Sequence, residues 1–397
     1  MQAPQANHLP QPDEQSLAHS AAVVDHIRGL IDAAGGSIPF SEFMHNALYA
    51  PGLGYYSAGA TKFGAAGDFV TAPEISSLFS RVLARQAENI LRQFDDKDEP
   101  GILEIGAGSG VLAVELLRKL DELECLPMHY DILEVSPDLR ERQIEVLQAM
   151  LPAHASRVRW LDRLPTSFSG VVIANEVIDA LPVERFVKQQ GRVFRQTVGW
   201  SDGRFTWGTG AANAKLREAV QEAEAIVGTP LTDGYRSEVL LAADDWIAQL
   251  GEAVDRGTVF LFDYGVGRRE YYAIDRNEGW LRCHFRHYAH NDPLIYPGIQ
   301  DLTAWVDFSR IAEAAADSGF HIAGYVTQGQ FLLHGGLVEE MQHFAGLPTA
   351  AQIELSGQVK LLTMPGEMGE NVKCLELTKG LLDPADVFTL ADRAHTL

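Results

Sequence analysis

From Gly101 onward the chain reads as short apolar runs separated by helical periods. Ile102–Ile105, Tyr130–Glu134, Val158–Leu161, Val171–Ala174 and Thr258–Asp263 are the candidate strands. Between the first three, apolar spacing predicts helices over about Val111–Leu120 and Leu139–Met150. This alternation is the pattern of βαβ units and places the chain in the α/β class, with a mainly parallel sheet. The stretch between Ala174 and Thr258 is too long for one crossover, so an insertion at about 183–256 is expected, with a hairpin near 184–208 and a helix near 212–227. After the fifth strand, a loop at 268–297 rich in Arg, His and Tyr leads to a predicted helix around Leu302–Ser318. Further strands are expected at His321–Val326 and Val372–Leu377. No internal repeat is visible.

The N-terminal part has another texture. Residues 1–19 are rich in Pro and Gln and nearly free of large apolar side chains, which predicts a disordered tail. Val23, Val24, Ile27, Leu30 and Ile31 then repeat with helical spacing up to Gly35-Gly36. A Gly- and aromatic-rich stretch runs from Tyr49 to Phe69. Thr71 and Glu74 form the signature of a capping box, and Ile75, Leu78, Phe79, Val82, Leu83, Ile90 and Leu91 continue a helix toward Phe94. The organisation expected is a tail at 1–19, a helical and Gly/aromatic cap at 20–97, and a main domain at 98–397 carrying the insertion at 183–256.

Composition narrows the function. The 397 residues are 46% hydrophobic and 22% charged, ordinary for a globular protein, which excludes wholesale disorder. With 32 basic against 54 acidic residues the net charge is −22, which argues against nucleic acid or an anionic membrane as main partner and favours a cationic one. The three cysteines, Cys125, Cys283 and Cys374, form no C-x-x-C pair, so neither a disulfide framework nor a cysteine zinc site is encoded. No apolar run is long enough to span a membrane, and the first 27 residues lack Arg and Lys, so the expectation is a soluble, cytoplasmic protein.

The most informative segment is Leu103-Glu104-Ile105-Gly106-Ala107-Gly108-Ser109-Gly110, a strand entering a Gly-rich turn that opens a helix. Such a turn lets backbone approach a ligand at a helix N-terminus. The dinucleotide fingerprint needs glycine at 111, where this chain has Val111. The E-x-G-x-G-x-G form is instead associated with S-adenosyl-L-methionine (SAM) pockets. Glu104 beside the turn would repel a pyrophosphate but suits an ammonium and a sulfonium. Glu134, at the end of the second strand, can accept from both hydroxyls of a ribose, a geometry shared by NAD enzymes. Asp162 follows the third strand and is either an acceptor for an adenine amino group or an exposed loop acid.

The fourth strand ends in Asn175-Glu176-Val177-Ile178-Asp179-Ala180-Leu181-Pro182. Ligands of open α/β sheets sit outside the carboxyl ends of the strands, so Asn175, Glu176 and Asp179 are expected to face the transferred group. Asp263-Tyr264-Gly265 closes the fifth strand as a further candidate pocket wall. His284, His287 and His290 have metal-like spacing, but no carboxylate or cysteine completes the set, and no metal is expected. No G-x-S-x-G elbow occurs.

These residues resemble the MidA-like SAM-dependent methyltransferases, whose eukaryotic members are mitochondrial complex I assembly factors that methylate arginine. The resemblance is carried by Pro51-Gly-Leu-Gly-Tyr-Tyr56, Phe63-Gly-Ala-Ala-Gly-Asp-Phe69, Thr71-Ala-Pro-Glu-Ile-Ser76, the glycine turn, Leu133-Glu-Val-Ser-Pro137, Ala174–Pro182, Phe262-Asp-Tyr-Gly265, Asp301-Leu-Thr303, Val306-Asp-Phe308 and Thr327-Gln-Gly-Gln-Phe331. Two departures stand out: Ala107 and Ser109 replace the proline and arginine usual between the glycines, and Trp305 replaces a usual histidine.

The resemblance implies a Rossmann-like sheet, SAM as cofactor, and methyl transfer to an arginine nitrogen of a protein, a respiratory-complex subunit being the kind of partner it points to. On this reading Glu104, Gly106, Gly108, Gly110, Glu134, Asp68 and Asp162 bind the cofactor, with Asp68 and Glu74 closing over its methionine end. Glu176 and Asp179 clamp the guanidinium, and Asn175 fixes the nitrogen by its carbonyl. The competing readings are a SAM-binding assembly protein without turnover and, less favoured, a nicotinamide oxidoreductase.

Overall fold

The structure, a computed structural model, describes residues 9–58, 70–95, 97–380 and 382–397. The chain divides into two compact units, one drawn from 1–69, 179–245 and 266–307, the other from 70–178, 246–265 and 308–397. The cap expected at 20–97 is thus shared between them, and the first unit combines N-terminal segments with most of the insertion.

The second unit is built on a sheet whose strands are β1 (Gly101–Ile105), β2 (Tyr130–Leu133), β3 (Val158–Leu161), β4 (Phe168–Asn175), β5 (Val254–Val266), β6 (His321–Thr327) and β7 (Val372–Lys379). Their spatial order is β3-β2-β1-β4-β5-β7-β6. β3 through β5 pair in parallel, while β7 runs antiparallel to both β5 and β6. β1 is buried along its whole length and β4 nearly so, as expected for central strands covered on both faces. Strand order reverses beside β1, where open α/β sheets place their ligand crevice. Helices α1 (Val111–Glu122) and α2 (Pro137–Met150) connect the first strands.

The helix Ser77–Leu91 packs on α1 and buries Phe79, Val82, Leu83 and Ile90 against the sheet, where Phe79 meets Phe262 edge-on at 5.1 Å. Arg81, Arg85 and Lys119 converge on Glu340, whose carboxylate is almost completely enclosed. Burial alone would raise its pKa; the hydrogen bonds from Lys119, Arg81 and Arg85 outweigh it and hold Glu340 at about 2.

The first unit carries an antiparallel sheet ordered Ser37–Pro39, Arg192–Ser201, Glu184–Gln189, Arg236–Val239, with Arg204–Ala211 also paired to Arg192–Ser201. The helix Ala214–Val227 buries Leu216 and Val220 in a core shared with Phe186, Tyr235, Tyr271 and Trp280. A smaller sheet sets Leu281–Phe285 between Tyr288–His290 and Asp301–Ala304.

Three local expectations change. The first helix spans Glu14–Ala33 rather than starting near Ala21, because Asp13 caps it by accepting from the Ser16 amide, so residues 14–19 of the expected tail are helical. The Thr71 capping box forms, but the helix it opens covers only Ala72–Ile75; Ser76 is extended and caps a second helix from Ser77. The expected helix over 302–318 is restricted to Phe308–Asp317, since Asp301–Ala304 and Val306–Asp307 are strands. Its apolar run satisfied both periods, and pairing with Leu281–Phe285 decided for strand over the first part.

Candidate active site

At the end of β1 the backbone takes positive φ at every second residue: +70° at Gly106, +54° at Gly108 and +80° at Gly110, which caps α1. L side chains avoid this region. At Gly106 a Cβ would also lie 2.9 Å from Val177 Cγ2, and at Gly110 it would press on Gln143 at 3.3 Å. The turn brings bare backbone and the amides of a helix start to the mouth of the sheet.

Glu134 follows β2 and is largely buried. Its Oε1 accepts from the Ser136 amide at 3.0 Å and its Oε2 from the Gln143 side-chain amide at 3.0 Å. The same Gln143 nitrogen donates to the Gly108 carbonyl at 3.0 Å, and its Oε1 accepts from the Trp160 indole at 2.9 Å. One buried side chain on α2 therefore ties the glycine turn to the strand-end acid. Asp162 stands apart from this network: its side chain is 88% exposed and paired with Arg140 at 2.8 Å.

Glu104 lies inside β1, buried, and accepts from the Tyr130 hydroxyl at 2.7 Å. Burial pushes its pKa up to about 7; the Tyr130 hydrogen bond opposes this and the nearby Glu134 charge adds to it. A carboxyl in that state takes up or releases a proton near neutrality.

The end of β4 is strained. Glu176 has φ +53°, unfavourable for a side chain with a Cβ. Its amide donates to the Phe262 carbonyl at 2.8 Å, and its Oε1 receives the Ala72 amide and the Asn175 side-chain amide, each at 3.4 Å. Asp263, wholly buried at the end of β5, receives the Ile178 amide on Oδ2 and the Tyr264 amide on Oδ1, both at 2.8 Å. It holds the turn in place. Asn175 Oδ1 is buried with no hydrogen-bond partner among the described residues.

Asp179 opens the segment of the first unit that follows this turn, and its carbonyl accepts from the Ala304 amide at 2.9 Å. Within that unit the Tyr56 hydroxyl donates to Asp301 at 3.0 Å, and the Tyr49 and Tyr56 rings stack at 5.5 Å. Burial raises the Tyr56 pKa well above its usual value, with Asp301, Tyr49, Tyr55 and Asp179 adding to the effect, so the phenol stays protonated. Asp68 lies outside the described residues. Glu74 accepts from the Thr71 amide in the capping box. Trp305 stacks on Trp280 at 4.3 Å beside the core of the first unit, which gives this departure a packing role.

Residues 82–326 match the model of a family described as "Putative S-adenosyl-L-methionine-dependent methyltransferase". The chain belongs to this family. It is 30% identical to the protein arginine methyltransferase NDUFAF7 homolog, mitochondrial, of Drosophila melanogaster, over 94% of this chain and 89% of that protein. It is 28% identical to protein arginine methyltransferase NDUFAF7, mitochondrial, of Homo sapiens, over 84% of this chain and 78% of that protein. A crystal structure from Burkholderia thailandensis bound to S-adenosyl-homocysteine superposes with a TM-score of 0.90 at 39% identity, covering 98% of this chain and all of that one.

The expected Rossmann-like methyltransferase sheet and the SAM cofactor are thereby established, and this methyltransferase carries a cofactor site its own residues fit. The glycine turn presents backbone free of side chains at Gly106, Gly108 and Gly110, packed against Val177 and Gln143, and Glu134 is held by donors from two directions. Sequence reading missed Gln143 and Tyr130. Gln143 sits among the polar positions of α2, and only the fold shows that its side chain turns inward; Tyr130 reads as an ordinary strand aromatic. Among the described residues no helix is long and apolar enough to cross a membrane, and no His/Cys/Asp/Glu group could hold a metal. His284, from the expected metal-like triplet, is instead held down at about 4 by burial, with His290 and Arg282 adding to it.

Proposed function

We propose that this methyltransferase acts on an arginine side chain of a protein, as the names of its relatives state for them. The cofactor supplies an electrophilic methyl group on a sulfonium. The chain's own task is to make a guanidinium nitrogen nucleophilic. Arginine stays protonated in proteins, so its charge must be drawn toward one side while the reacting nitrogen is held in line. Glu176 and Asp179 are the carboxylates assigned to that clamp, and Asn175 offers its carbonyl oxygen to the nitrogen. The observation that carries this reading is the end of β4, where a strained backbone at Glu176 is kept beside a buried Asn175 oxygen that has no hydrogen-bond partner among the described residues. Such strain persists where surrounding structure enforces it, as Asp263 does here.

For the cofactor we assign the backbone at Gly106, Gly108 and Gly110 to its amino-acid end, Glu104 to its ammonium and Glu134 to its ribose. Asp68 stays in the proposal as a residue of the Gly-rich cap. Asp162 stays as the adenine acceptor, which requires it to leave Arg140. The expected organisation of tail, cap and main domain with an insertion, the tail now ending before the helix that starts at Glu14, a cytoplasmic location, and a respiratory-complex subunit as substrate complete the reading. The net charge of −22 supports a substrate surface rich in cations. The test is incubation of the purified protein and tritiated SAM with lysate from a strain lacking it, followed by peptide identification. Label on arginine supports the proposal. Label only on another residue overturns the arginine assignment, and no label from active preparations favours a SAM-binding role without turnover.

A further inference from the structure

A cavity of about 370 Å³ in the first unit is lined by Lys188, Arg192, Val193 and Phe194 of the central hairpin, by Ala212, and by Arg217 and Glu224 of the helix Ala214–Val227. Three cations and one acid meet there, in a chain whose overall charge is −22. Glu224 is engaged: it pairs with Lys188 at 2.7 Å and accepts from the Leu231 amide at 2.9 Å. Neither Arg192 nor Arg217 is ion-paired among the described residues. Arg192 lies over the Phe194 ring at 5.4 Å, and Arg217 donates to the Ala212 carbonyl. Both guanidinium groups are therefore ordered by contacts that leave donors unused, so an incoming anion finds part of the ordering cost already met.

We propose that this cavity binds a small organic anion, with a carboxylate received by Arg192 and Arg217 and a short carbon chain against Val193, Phe194 and Ala212. The apolar wall is what selects an organic anion over inorganic phosphate, because a bare phosphate gains nothing from it. None of the residues assigned to the cofactor or to the guanidinium clamp takes part, so the proposal does not depend on the methyl acceptor.

The probe is glutarate, titrated calorimetrically into the full chain at constant ionic strength, with sodium phosphate as the parallel arm. Saturable glutarate binding is expected, weakened at least about tenfold in the Arg192→Gln/Arg217→Gln variant, about 1.4 kcal/mol or more, while SAM affinity stays unchanged. Both arginines are exposed, so the variant should fold; if its melting temperature falls, Arg192→Gln alone serves and should still weaken glutarate. Absence of saturable glutarate binding at millimolar concentration, binding untouched by the substitutions, or phosphate binding more tightly than glutarate would each overturn the proposal.

Discussion

Gln143 donates to Glu134 Oε2 and to the carbonyl of Gly108 from one nitrogen, both at 3.0 Å. The side chain is fully buried, so its position on α2 fixes the distance between the glycine turn and the acid after β2. Replacing it by Leu keeps similar bulk but removes both bonds, together with the one Gln143 accepts from the Trp160 indole. SAM affinity should fall by about 1–2 kcal/mol, roughly tenfold, because Glu134 loses the donor that Gln143 supplies. Replacing Glu134 itself by Ala should cost roughly 2–4 kcal/mol of SAM binding through charge-assisted bonds. Calorimetry checks both. A folded Gln143→Leu protein with unchanged affinity would remove the bridge from the site.

Gly106 combines φ +70° with a place 2.9 Å from Val177 Cγ2 for any added Cβ. Gly106→Ala should cost about 1–2 kcal/mol of stability from the backbone conformation and displace the turn that carries Glu176. SAM affinity is expected to fall more than at Gly35→Ala, which also has positive φ but open space around it. Equal thermal shifts and equal SAM binding in the two variants would show that the crowding at Gly106 is without consequence.

The extent to which the site could be read in the sequence follows from how local its signals are. Glycines at 106, 108 and 110 declare a turn by themselves, and the five parallel strands announce themselves by short apolar runs bounded by helical periods. Asp162 could not be decided locally, since its exposure depends on Arg140, 22 positions away on α2. Gln143 was illegible for the same reason: its partners lie on the glycine turn, after β2 and on β3. The segment 301–304 carried helix-compatible spacing and became strand through a partner at 281–284. What stayed hidden is what only long-range pairing decides.

For the guanidinium clamp, Glu176→Gln and Asp179→Asn preserve shape while removing charge. If the two carboxylates act on the substrate cation, methyl transfer in a single turnover should drop at least about 10²-fold while SAM affinity stays within a few-fold, since the charge acts in the transition state. Normal transfer rates in both variants would withdraw the clamp.

Glu104 gives cofactor binding a pH dependence. With its pKa pushed up to about 7 by burial, the carboxyl of the empty protein is largely protonated at pH 6. An ammonium group is favoured by the ionised form, so SAM affinity should rise as pH rises toward 7 and flatten above it, with release of up to one proton per SAM bound below that point. Titration in buffers of different ionisation enthalpy measures the proton. Glu104→Gln should abolish both the slope and the release; a wild-type affinity independent of pH between 5.5 and 8 would dissociate Glu104 from the ligand.

Glu376 provides the clearest stability test because it lies away from all of this chemistry, wholly buried on β7. Its Oε1 accepts from the Ala385 amide at 2.9 Å, while Oε2 is buried with no hydrogen-bond partner among the described residues. Burial raises its pKa from 4.5 to about 8, against the opposing Ala385 hydrogen bond. Because the folded value lies above the unfolded one, the unfolded chain loses this proton near pH 4.5 while the folded chain keeps it to about pH 8. The contribution of Glu376 to stability is therefore full below 4.5 and lost progressively as pH rises to about 8, at up to about 1.4 kcal/mol per pH unit. Glu376→Gln keeps an acceptor for Ala385 and has no proton to lose. Its melting temperature should match wild type near pH 4.5 and exceed it by a growing margin up to pH 8. Parallel melting curves for the two proteins across that range would show that the buried carboxyl does not govern the loss.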